Sequence, residues 1–93
     1  MATGTATLDF GAFPGACEAS VDVTGQAAIV AGSLVEAWIR PVATADHSAD
    51  EHRLEQLQIM AGNIVDATGF TIYGLCTARA RLYGTWTIAW AWV

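Results

Sequence analysis

Apolar and polar residues alternate one for one along most of the chain, and a period of two is the signature of strands with one buried face. From Thr3 to Phe10, Thr5, Thr7 and Asp9 face one way and Ala6, Leu8 and Phe10 the other. Gly11 to Gly15, with Pro14-Gly15 at its centre, reads as a turn. From Ala16 to Thr24, Cys17, Ala19, Val21 and Val23 share an inner face, while Glu18, Ser20, Asp22 and Thr24 share an outer one. A short apolar piece, Ala27 to Ala31, lies between Gly25 and Gly32 and is either a strand or a connection. Ser33 to Val42 sets Val35, Ala37 and Ile39 against Leu34, Glu36, Trp38 and Arg40, and Pro41 ends this run or marks it as an edge.

The polar segment Ala43 to His52 is the one long loop, and Ser48 followed by Glu51 has the spacing of a capping box for a single helical turn. Leu54 to Ala61 resumes the strand pattern, Gly62-Asn63 reads as a turn or bulge, and Asp66 to Gly69 as a turn. Phe70 to Arg79 follows, with Phe70, Ile72, Gly74 and Cys76 on one face and Tyr73 and Leu75 on the other. In the last run, Arg81 to Val93, Trp86, Ile88, Trp90 and Trp92 share a face; a helix would scatter them around its circumference. These elements predict one all-β domain over residues 1–93, a small antiparallel β-sandwich or barrel of six to seven strands.

Composition sharpens the functional question. Of 93 residues 54% are hydrophobic and 14% charged, more apolar material than a short chain with a thin core is expected to hide. No run approaches the roughly 18–20 apolar residues of a spanning helix, and the N-terminal residues lack the basic and apolar regions of a signal peptide. A partner surface is then the expected outlet, with synthesis in a reducing compartment and Cys17 and Cys76 as buried thiols. Nine acidic residues against four Arg and no Lys, net −5, make a poor footprint for nucleic acid. The same bias, depleted in Lys and rich in Trp and Arg, suits a protein interface.

The candidate interface residues are Trp38, Tyr73, Arg79, Arg81, Trp86, Trp90 and Trp92, with the tryptophan stripe serving either as core or as contact surface. Asp46, His47, Asp50, Glu51 and His52 offer metal-ligand chemistry, imidazole nitrogen beside carboxylate oxygen. Their spacing matches neither a zinc finger nor the HExxH pair, so the plainer expectation is polar contacts, with no metal and no cofactor. Neither cysteine is marked as an activated nucleophile, no phosphate-binding glycine motif occurs, and no enzyme is expected.

The segments TGQAAIVAGSLVEAWI, TADHSADEH and AGNIVDATGFTIYG together resemble a group of small proteins encoded by tailed bacteriophages, over most of the chain's length. The resemblance implies a virion structural component, foremost a capsid decoration (cement) protein that stabilises the head shell by binding the major capsid protein and further copies of itself. A component of the tail or head–tail junction is the alternative within that class. The resemblance carries no catalytic residues. It implies synthesis in the host bacterial cytoplasm, assembly into the virion, and no nucleic-acid or membrane partner. The reading from another class is a small glycan- or metal-binding β-module using the aromatic face or the histidine loop.

Overall fold

The computed structural model describes residues 2–54, 57–76 and 81–93. Six strands and one short helix follow in order: β1 (Ala2–Asp9), β2 (Glu18–Val23), β3 (Val35–Ile39), α1 (Ala49–Leu54), β4 (Leu57–Val65), β5 (Gly69–Cys76) and β6 (Thr85–Trp92). They form two antiparallel three-stranded sheets, β1-β6-β3 and β2-β5-β4, stacked as a β-sandwich. The expected alternation holds strand by strand. Ala6, Leu8, Val21, Val23, Ala37, Ile39, Ile72, Trp86, Ile88 and Trp90 turn inward, and the Thr, Asp, Glu and Ser positions between them turn out.

Strand β6 is the middle strand of its sheet and supplies the largest inward side chains. Trp86 and Trp90 are 1% and 7% exposed. Trp90 is possible because its neighbours are small: Gly4 of β1 lies opposite it on one side and Ala37 of β3 on the other. A Cβ on Gly4 would stand 2.4 Å from Trp90 Cζ2. From the facing sheet, Phe70 meets the Trp90 ring edge-on at 5.4 Å. The indole N–H groups of Trp86 and Trp90 find no acceptor among the described residues, which costs roughly 1–3 kcal/mol each. Removing about 150–250 Å² of aromatic surface from water at ~25 cal/mol per Å² contributes more than that. Burial wins.

Several boundaries differ from the sequence reading. Of the two readings left open for residues 27–31, strand or connection, the structure has the connection, part of the β2–β3 link, which drops Ile29 (1% exposed) into the core. The capping box carries the helix through Leu54, so β4 starts at Leu57 and extends past Ala61 to Val65. Its register shifts between Gly62 and Val65, a bulge marked by Asn63 at φ 52°. Cys17 is exposed rather than buried, whereas Cys76 is buried. At Ala16 the chain leaves the second sheet's ladder to bridge Leu82, just ahead of β6, and the inner-face alternation fails at the next residue.

The seating of Trp90 on Gly4 yields a stability prediction. Gly4→Ala is expected to destabilise the fold by about 1–3 kcal/mol through overpacking, and Trp90→Phe in the same chain should recover part of that loss. Urea titrations of the two single variants and the double variant check this. Equal midpoints for Gly4→Ala and the parent would show that the close approach is not real.

Candidate functional site

Loop 43–52 and helix α1 do not hang free. Thr44 Oγ1 donates to Thr85 O at 2.8 Å, and Asp46 Oδ2 accepts from both the backbone N–H and the hydroxyl of Thr85 at 2.9 Å. Gly84 has φ +74° and passes so close to Asp46 that an added Cβ would stand 2.7 Å from its Cβ. The loop is thereby fastened along the start of β6.

Helix α1 begins as its sequence foretells. Glu51 N–H donates to Ser48 Oγ at 3.2 Å, and Ser48 N–H donates back to Glu51 Oε1 at 3.1 Å, the reciprocal pair of a capping box. Acidic residues occupy the first turn and basic ones the last, in keeping with the helix dipole.

This start aims both histidines into the sandwich, where they are 5% and 1% exposed. His52 Nδ1 lies 2.7 Å from Ser48 O, and its Nε2 accepts the backbone N–H of Thr87 at 2.9 Å. That arrangement assigns the neutral tautomer with its proton on Nδ1. His47 stacks on Trp86 at 3.7 Å, tilted by 17°. Its Nδ1 meets Glu51 Oε2 at 2.8 Å and its Nε2 meets Tyr83 O. Both His47 nitrogens face oxygen acceptors, so a ring protonated on both nitrogens donates to each.

These contacts decide what the loop can do. Each histidine nitrogen is already committed, Asp46 is spent on Thr85, and Asp50 sits 3.8 Å from Arg53 on the exposed side of α1. Among the described residues no group of three or more His, Cys, Asp or Glu side chains is placed to hold a metal ion. The loop's polar contacts are internal, and it works as a clamp on one end of the sandwich. Its partners Thr44, Tyr83, Thr85 and Thr87 carry no motif, and only the contact geometry identifies them.

The candidate interface residues separate. Trp86 and Trp90 belong to the core, which corrects the expectation that they meet a partner. Trp92 is half-buried, its indole N–H donating to Gln26 Oε1 at 2.9 Å. Trp38 and Tyr73 are 48% and 41% exposed, on the outer faces of different sheets. Arg81 is exposed, and Arg79 lies outside the described residues.

Around Tyr73 the outer face of β2-β5-β4 carries two cross-strand rows, Ser20–Tyr73–Met60 and Glu18–Leu75–Gln58. They line an open groove of about 420 Å³. Met60 and Leu75 are 54% and 45% exposed, and the sequence reading had not singled out either one. Beside them Thr71 Oγ1 donates to Asp22 Oδ1 at 2.9 Å and accepts from Asn63 Nδ2 at 3.2 Å, the bulge having delivered that amide. The three strands carry Glu18 and Asp22 and not one Arg, Lys or His. The face is apolar in its middle and acidic along the β2 edge.

The chain matches no family model, no curated protein and no solved structure. No helix among the described residues is long and apolar enough to cross a membrane.

Two predictions test the clamp. The carboxyl of Glu51 is held below its ordinary value of 4.5, first by the hydrogen bond from His47 and then by the N–H of Ser48. A lowered folded-state value stabilises the fold above the unfolded one, and that contribution is lost as pH falls through the folded value. The stability difference between the parent and Glu51→Gln should therefore shrink as pH falls below about 4.5. Urea midpoints across that range check it, and a difference that persists in acid would refute the assignment. Separately, His52→Phe leaves the N–H of Thr87 without its acceptor and should cost about 1–3 kcal/mol, with the Thr87 amide losing hydrogen-exchange protection first.

Proposed function

We propose that this chain is a structural subunit of a larger assembly, most specifically a tailed-bacteriophage virion protein that decorates the capsid shell and binds the major capsid protein. The observation that carries the reading is the outer face of β2-β5-β4. Met60, Tyr73 and Leu75 stand together in the open there, on a rigid sheet, with carboxylates on one side only. Such a surface suits another protein: an apolar patch for the centre of a contact and a charged rim that selects a partner bearing Arg or Lys. The phage and capsid part of the reading rests on the sequence resemblance alone. A decoration protein raises shell stability by binding the assembled lattice and not the dissociated subunits. A stiff β-sandwich with its loop clamped down loses little entropy on docking.

Cosedimentation with capsid shells of the phage that encodes the chain tests the reading. The parent should pellet with shells, and Tyr73→Glu combined with Leu75→Glu should weaken binding by about 100-fold or more, as loss of a central apolar anchor does. All four tryptophans lie outside β2-β5-β4, so their fluorescence reports folding independently of the mutated face. Binding to tails alone would move the protein to the tail or head–tail junction. Saturable binding of an oligosaccharide in the groove, with no affinity for any virion part, would replace the assembly reading with that of a glycan-binding module.

A further inference from the structure

The groove on the outer face of β2-β5-β4 has a more specific chemistry than an apolar patch. Its two rows each cross all three strands, and Ala19 and Gly74 line the space between them. Tyr73 stands directly opposite Ser20, and Ser20 lies between the two carboxylates of β2, Glu18 and Asp22. Both carboxylates therefore sit diagonally across from the phenol, at a separation of about 7–8 Å between strands. Both are exposed, and neither forms an ion pair among the described residues. Asp22 Oδ1 accepts from Thr71 Oγ1 at 2.9 Å, which leaves its carboxylate further acceptor sites.

A ligand entering this groove meets an aromatic ring, a carboxylate edge and the exposed side chains of Met60 and Leu75 together. Gln58 closes the Leu75 row with an amide acceptor two strand spacings from Glu18, about 10 Å away. A compact ammonium answers only the carboxylates, and it holds its water too strongly to settle on apolar surface. A guanidinium answers every part. It is flat and weakly hydrated, it stacks on aromatic rings, and it carries five N–H donors in a fixed fork. The methylene stem of an arginine covers apolar side chains on the way in.

We infer that the groove seats an arginine side chain of the protein partner, its guanidinium at Tyr73 beside Glu18 and Asp22 and its stem along Leu75 and Met60. The inference rests on the assembly reading, because it names the group that the partner presents to this face. Charge complementarity carries it: the three strands hold two carboxylates on the groove's β2 side and no cation of their own. The same carboxylates repel an acidic segment, so the groove selects as well as binds. Tyr73 and Leu75 stand on the central strand of the sheet, paired on both sides. The seat is therefore built before the partner arrives, and little ordering is needed to fill it.

Titration of the 15N-labelled chain with N-acetyl-arginine amide, followed through backbone amide shifts, tests the seat. N-acetyl-citrulline amide keeps the shape without the charge, and N-acetyl-lysine amide keeps the charge without the plane. The arginine probe should give saturable shifts at Glu18, Gln58, Tyr73 and Leu75, with a dissociation constant on the order of 1 mM for a ligand of one side chain. Both other probes should bind about 5-fold more weakly or worse. Glu18→Gln should weaken the arginine probe by a similar factor, with tryptophan emission unchanged. Equal binding of the arginine and citrulline probes overturns the inference, as does the absence of saturable shifts at the groove. Capsid cosedimentation separates the two readings. Shells that pellet Glu18→Gln as well as the parent overturn the arginine seat and leave the assembly reading standing. A chain that seats the arginine probe and ignores every virion part upholds the seat and removes the virion as its partner.

Discussion

Everything in this molecule is arranged around the inner face of β6. It is the central strand of its sheet, it carries Trp86, Ile88 and Trp90 in alternation, and both sheets and the long loop close on it. Phe70 reaches Trp90 from the opposite sheet, Gly4 and Ala37 make room on either side, and His47 covers Trp86 from the loop. A 93-residue sandwich has space for few side chains of this size, so their neighbours must be small or flat. The loop clamp is a consequence. The His47 imidazole can lie on an indole face while its nitrogens are satisfied by Glu51 and Tyr83, a position no aliphatic side chain fills with the same polar reach.

The alternation was legible because every strand has one buried and one open face, and a period of two cannot be mistaken over eight residues such as β1 or β6. The capping box was legible because it is local: Ser48 and Glu51 are three residues apart and bond only to each other. Three features depend on distant partners and were hidden. Cys17 sits at the surface although its carbonyl accepts from the N–H of Cys76, while the neighbouring Ala16 bridges Leu82, 66 positions further on. Ile29 is core because the β2–β3 connection folds over the end of the sandwich, where no periodicity applies. His47 and His52 look like ligands in one dimension. In the fold their ring nitrogens meet Glu51, Tyr83, Ser48 and Thr87, and His47 stacks on Trp86.

The apolar surplus left the tryptophan stripe as either core or contact surface, and its place in the core explains what is left outside. With Trp86 and Trp90 inside, the exposed apolar residues include two groups of unlike character. On β2-β5-β4 they cluster in the middle of a sheet face beside unbalanced carboxylates, an arrangement that asks for a different molecule to supply the cations. Around β3 they flank charges of both signs, Glu36 and Arg40.

Closure matters because an open sheet edge is a hazard, and the four edge strands here are guarded unequally. The outward positions of β1 are Thr3, Thr5, Thr7 and Asp9, and those of β2 are Glu18, Ser20 and Asp22; both are polar enough to resist indiscriminate pairing. Strand β4 is bent by its bulge at Asn63, a device that spoils a long flat ladder. Strand β3 carries Trp38 on its outer face, β4 of the other sheet runs close beside it, and it is the shortest strand, with Pro41 just beyond its end. A short edge stopped by proline offers a ladder of limited length.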